Sequence, residues 1–269
     1  MTRLDHPDYL DHIRRSSRRF RDVLATCDPA ARVPACPDWD AGDLLWHLTE
    51  VQWFWTQVIA ARPAAPDEEA PGPERPGDHA GLLAFFDETS AGLVAALEAA
   101  DPAEPAWSWS DDQTVGFTYR RQAHEALIHR LDAEQAAGDE SPLDPRLAAD
   151  GVAELVDVMY GGEPPAWGRF EPGEGEVDVE LTDVEVVLRV RPGMFHGTDP
   201  DSGESHDGPH LLLLDAAEQA GGAAAATVRG TAADVDAWLW KRRDDGAVTW
   251  SGDPGVRERF LAAVRPPLT

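Results

Sequence analysis

One change of hydrophobic period constrains this chain more than any other feature. Up to about residue 160, apolar side chains return every three or four positions, the spacing of one helical face; beyond it they alternate or run in β-branched groups. Tyr9, Leu10, Ile13, Phe20, Val23 and Leu24 form the first stripe, within 5–27. Pro29, Pro34 and Pro37 then enforce a loop. A second helix, capped by Asp40 or Asp43, runs to the break before Pro63. The acid- and proline-rich stretch 63–77 reads as an exposed loop. A third helix spans about Asp78 to Ala100, and 101–116 reads as an irregular connection. A fourth runs from about Phe117 to Gly138, where the glycine serves as a stop. A further helical piece lies around Pro145 to Tyr160.

After Gly161–Pro165, Val177, Val179 and Leu181 alternate with acids, and Val184 to Val190 is a β-branched run. Ala223 to Val228 and Val248 to Trp250 read as further strands, and 197–209 as a glycine-rich turn region. Thr231 caps a helix reaching Trp240, and Pro254 to Val264 forms the last. Helices followed by a mixed strand–helix half predict two domains: a four-helix bundle over 1–163 and a small α+β domain over 164–269.

Charge narrows the partners. The chain has 50 acidic against 23 basic residues, a formal net charge of -27. Such a surface repels phosphate, so neither nucleic acid nor an anionic membrane is an expected partner. The one lysine, Lys241, and the abundant alanine point to GC-rich coding. No apolar run is read as approaching the roughly 20 residues of a membrane span. Met1 to Phe20 lacks the apolar core of a secretory signal, so a cytoplasmic location is expected. Cys27 and Cys36 are then expected as thiols.

The chemistry concentrates in 120–132, RRQAHEALIHRLD. Glu125 and His129 are four residues apart and so about 40° apart on one helical face. A carboxylate and an imidazole one turn apart can share a divalent ion, and catalytic zinc sites often combine two histidines with a glutamate. His47, mid-way along the second helix between Trp46 and Leu48, is the candidate third donor. Two plainer readings compete: Glu125 pairing with Arg121 one turn earlier, and His47 as a core residue beside Trp46. Spacing alone does not choose between them.

The combined text is more specific. Val33-Pro34-Ala35-Cys36-Pro37-Asp38-Trp39 followed by Asp43-Leu44-Leu45-Trp46-His47-Leu48 resembles the opening signature of the maleylpyruvate isomerase family of mycothiol-dependent enzymes. His124 to Glu134 resembles that family's second signature. The tail from Val228 to Asp253, with Leu239-Trp240-Lys241-Arg242, is similar to its C-terminal domain. The resemblance covers nearly the whole chain in order. It implies a DinB-like four-helix bundle followed by a small α+β domain. It also implies a divalent metal, usually zinc, on His47, Glu125 and His129, and mycothiol as cofactor or cosubstrate. Arg242 matches an arginine of the family and is the candidate cation for the thiol's polar groups or an anionic substrate.

Three protein ligands would leave one position open, as catalytic zinc sites do. A thiol entering it is deprotonated and can attack an electrophilic small molecule. In an isomerase the thiolate leaves again; in an S-transferase it stays attached. The competing functions are a metal- or ligand-binding protein without turnover and a metal hydrolase that activates water. Cys36 has no base placed for it and reads as a packing residue. Trp46, Trp53 and Trp55 read as core and pocket wall. His196, His206 and His210 read as a solvated loop rather than a second metal site.

Helix geometry separates two neighbouring histidines. His124 and His129 are five residues apart, roughly 140° around the axis, so only His129 shares a face with Glu125. His124 then reads as a pocket residue, the candidate proton carrier. Glu125→Ala and His129→Ala should each lose most bound metal while His124→Ala keeps it, measured as metal per chain in the purified variants. The reverse pattern would place the donors on the wrong face.

Overall fold

The computed structural model describes residues 2–67, 70–215, 222–266 and 268. Residues 68 and 69, inside the stretch read as an exposed loop, lie outside that description. The chain forms two compact units, Leu4–Pro142 and Leu143–Thr269, the latter with the N-terminal Met1–Arg3.

The first unit holds four long helices: α1 (His6–Thr26), α2 (Ala41–Ala61), α3 (His79–Ala99) and α4 (Val115–Ala137). Their starts are set by side chains that satisfy the unpaired N–H groups of a first turn. Asp40 and Asp43 act together on α2: Asp40 accepts from the Asp43 N–H at 2.8 Å, and Asp43 accepts from the Asp40 N–H at 3.2 Å, a reciprocal capping box. Asp78 caps α3 and Thr114 caps α4, two residues before the start read from the sequence. Gly138, at φ 69°, supplies the left-handed residue that ends α4. Between α1 and α2, where the prolines predict only a loop, two short antiparallel strands form, β1 (Arg32–Val33) and β2 (Cys36–Asp40).

Helix α1 packs on α4, and α2 on α3. Phe20, Leu24, Leu44, Leu45, Leu48 and Phe86 form the core beneath the site. By length and composition α3 is apolar enough to cross a membrane, with mean hydropathy 1.4, which corrects the expectation that no stretch approaches a span. Its buried face of Leu82, Phe86, Leu93 and Leu97 packs within the bundle. Helices α2 and α4 run antiparallel: His47 lies beside Glu125, and eight residues on, Trp55 lies beside Phe117, eight residues back.

The second unit opens with α5 (Pro145–Glu154), which continues into a π-helical turn at Leu155–Met159. A six-stranded sheet follows: β3 (Gly168–Pro172), β4 (Val177–Leu181), β5 (Val186–Thr198), β6 (Ser205–Leu213), β7 (Ala226–Gly230) and β8 (Thr249–Gly252). The order is β3-β5-β4-β7-β8, with β6 also on β5; β4 and β7 are parallel and the other pairs antiparallel. Helices α6 (Ala232–Leu239) and α7 (Pro254–Val264) complete the unit.

One reading of this half changes. Strands β5 and β6 extend through most of 197–209, leaving only 199–204 as the turn, so His196, His206 and His210 stand on strands. Polar residues there alternate without apolar partners, which hid the strands. The two compact units divide at 142/143; the change of hydrophobic period comes later in the chain, near 163/164. Helix α5 keeps a helical period yet packs on α6 of the second unit, through small residues such as Gly151, which Asp236 approaches closely.

Phe20 is fully buried, with its ring 5.2 Å from that of Phe86. Phe20→Ala should cost about 3–5 kcal/mol of stability in denaturant unfolding followed by circular dichroism; a loss below about 1 kcal/mol would contradict this placement.

Candidate metal site

Helix α4 is buried along nearly all of Val115 to Glu134, and the buried set includes Arg120, Arg121, Gln122, His124, His129, Asp132 and Glu134. Polar groups cost free energy in such surroundings unless they are paired. Glu134 is paired structurally: it accepts from Arg19 at 2.8 Å and from the Ser141 N–H and hydroxyl at 3.0 and 2.6 Å. Glu125 and His129 are arranged differently.

His47, Glu125 and His129 each present a donor atom, all within 4.8 Å of one another, the one such group of three among the described residues. Glu125 Oε1 lies 3.1 Å from His129 Nε2 and 3.8 Å from His47 Nε2. The ring centroids of His47 and His129 are 4.8 Å apart at 76°. The other Glu125 oxygen accepts from Arg121 Nη2 at 2.9 Å. The two competing readings of Glu125 are therefore both satisfied: one oxygen pairs with Arg121 and the other faces the histidines.

Two residues without a role in the sequence reading, Asp132 and Trp39, orient the donors. Asp132 Oδ2 lies 3.0 Å from His129 Nδ1, leaving Nε2 to face Glu125 and His47. A carboxylate behind a histidine in this way fixes its tautomer and raises its basicity as a ligand. The Trp39 ring, 4.7 Å from that of His47, packs against the third donor. The spacing His129-x-x-Asp132, one turn on the same helix, is the signal that could have identified Asp132.

Electrostatics follow from these contacts. Burial disfavours ionisation of Glu125, but the Arg121 charge, the hydrogen bond from His129 and the nearby His47 ring outweigh it and hold the carboxyl well below its usual range. Burial likewise disfavours the His129 cation, yet hydrogen bonds to Asp132 and Glu125 raise its pKa. Glu125 is thus an anion ready for a cation.

The residues fit a divalent ion. Donors on a tetrahedral zinc ion lie about 3.3 Å apart, given bonds of about 2.0–2.1 Å; the separations of 3.1 and 3.8 Å bracket that value. His47 Nε2 is buried and has no hydrogen-bond partner. An ion would satisfy it.

The other candidates lie elsewhere. His124 is buried, outside the donor group, with its ring edge-on to Tyr9 of α1 at 6.3 Å. Arg242 belongs to the second unit, where it is 8% exposed, donates to the Trp240 carbonyl at 2.6 Å and stacks on the Trp240 ring. Cys36 is half-buried against the bundle core; Cys27 and Cys36 are both thiols. The strand histidines have separate partners: His196 Nδ1 lies 2.6 Å from Asp207, His210 Nε2 2.8 Å from the Gly162 carbonyl, and the His206 ring 5.8 Å from Trp167.

Fold and site together define a helical bundle carrying a His–Glu–His donor group, followed by a mixed-sheet unit. Residues 10–134 match the mycothiol maleylpyruvate isomerase N-terminal domain, and residues 146–259 match the C-terminal domain of the same family. The chain belongs to the mycothiol-dependent maleylpyruvate isomerase family. No curated protein matches it in sequence. Among solved structures it is similar to a mutant of the mycothiol-dependent maleylpyruvate isomerase, at 14% identity and TM-score 0.59. It is also similar to a structure of the mycothiol-dependent maleylpyruvate isomerase, at 15% identity and TM-score 0.56. Each likeness covers 93% of this chain and 95% of the other.

Asp132→Ala should weaken zinc binding by about 10–100-fold, measured by competition with a chromogenic chelator. Unchanged affinity would remove Asp132 from the site.

Proposed function

We propose that this chain is a metal-dependent enzyme that uses mycothiol to act on an electrophilic small molecule, in the manner of a maleylpyruvate isomerase or a thiol S-transferase. The observation that carries the reading is the orphaned His47 Nε2, buried beside Glu125 and His129 in a chain of this family. Zinc is the expected ion for mixed nitrogen and oxygen donors. When bound, such an ion lowers the pKa of a thiol and so supplies a thiolate near neutral pH.

The chain's own residues prepare for that chemistry. Glu125 supplies the negative charge of the site, and Arg121 keeps it ionised despite burial. Asp132 holds His129 so that Nε2 faces inward. His124, one residue from Glu125, is the proposed proton carrier, and Arg242 the proposed contact for the thiol's polar groups, on the family's pattern.

The test is zinc-loaded protein with mycothiol and maleylpyruvate, followed for both isomer and thiol. Isomer formation without thiol loss is the expected result, and stoichiometric thiol loss to an electrophile would mark a transferase. His47→Ala should reduce either activity at least about a hundredfold, since a catalytic metal supplies several kcal/mol of transition-state stabilisation. Arg242→Gln should raise the KM for mycothiol. No turnover with any thiol would overturn the proposal.

A further inference from the structure

The face of α4 that carries the donor group continues toward the helix N-terminus. Gln122 stands seven residues before His129, and Thr118 seven before Glu125; at about 100° per residue each pair lies within about 20° around the axis. Both side chains are fully buried. Neither Gln122 Nε2 nor Oε1 has a hydrogen-bond partner, and neither does Thr118 Oγ1. A buried amide unpaired at both ends is costly, and folded proteins rarely keep one without a use.

The opposite wall is apolar on the His47 side of α2; Gln52, at the same level, is buried and donates to Ser17 of α1. Because α2 and α4 run antiparallel through His47–Glu125 and Trp55–Phe117, the level of Gln122 and Thr118 falls beside 50–54 of α2. Val51 and Phe54 lie on the His47 side of α2, about 40° and 20° from it, and are only partly buried. The Phe54 ring meets that of Trp107 at 6.0 Å. Along the α2–α4 seam from the donor group, α2 thus presents apolar side chains and α4 unpaired neutral polar groups.

We propose that Gln122, with Thr118 beyond it, is the subsite for an amide group of the thiol whose sulfur is bound at the donor group. The inference rests on the thiol-using reading above and adds the chemistry that selects the thiol. A secondary amide offers an N–H donor and a carbonyl acceptor together, and Gln122 offers the complementary pair, Oε1 and Nε2–H. A carboxylate would set its negative oxygens against Oε1 and leave that acceptor unpaired. An ester lacks the donor.

Two matched thiols test this with full-length, zinc-loaded protein: N-acetylcysteamine, which carries an amide, and 2-mercaptoethyl acetate, its ester counterpart. In calorimetric titration the wild type should bind the amide thiol about tenfold more tightly, the scale of one or two neutral hydrogen bonds. Gln122→Leu should bind both thiols with the ester's affinity. The same variant, without thiol, should unfold at a higher temperature than wild type, because it removes a buried unpaired group. Thr118→Val should reduce the preference less.

Equal binding of both thiols by the wild type would overturn the subsite and leave the thiol reading standing. A preference that survives in Gln122→Leu would do the same, as would an unfolding temperature lowered by that substitution. Binding of neither thiol would overturn the thiol reading and the subsite together. The wild-type comparison of amide with ester decides the matter even if a variant fails to fold.

Discussion

A carboxylate held ionised inside a helical bundle is the constraint on which the rest of this site depends. Burial alone would favour the neutral acid at Glu125, and a neutral acid is a poor metal ligand. Arg121, one turn earlier and itself buried, supplies the opposing charge at 2.9 Å and occupies one carboxylate oxygen. The other oxygen is left to His129 and His47. The ion pair thus directs the carboxylate and keeps it charged.

That arrangement explains why α4 departs from the usual pattern of a bundle helix. A helix buried along most of its length would ordinarily be apolar on all sides. Here Arg121, Gln122, Glu125, His129 and Asp132 interrupt it, and most of them belong to one chain of contacts. The apolar load falls on the neighbours: Leu44, Leu45 and Leu48 of α2 and Phe20 and Leu24 of α1 build the core that keeps the donors in place. Geometry of this kind on rigid helices suits a site that must hold its donors a few tenths of an ångström from their working positions.

Much of this was legible in the sequence because helical periodicity is local. The four long helices, the Asp40 and Asp43 cap of α2, the Gly138 stop of α4 and the shared face of Glu125 and His129 follow from spacing along one stretch of chain. Pairing between distant segments is another matter. Strand β3 and the outer part of β5 and β6 escape a period-based reading because their side chains are polar or only half-buried, and the ladder that stabilises them is backbone. The division of the units likewise depends on what α5 packs against, which its own period does not encode. At the site, residue type and family resemblance point to His47, whereas Asp132 and Trp39 take roles only through neighbours that the fold brings to them. Gln122 reads as an ordinary polar helix residue until its burial and lack of a partner are seen.

The decisive property of this site is whether one divalent ion is held by these three side chains. X-ray crystallography of the zinc-loaded protein, with data on both sides of the zinc absorption edge, tests this most directly. One anomalous peak is expected at about 2.0–2.2 Å from His47 Nε2, a Glu125 oxygen and His129 Nε2. A peak elsewhere, or none at full zinc occupancy in solution, would rule out a metal centre on His47, Glu125 and His129.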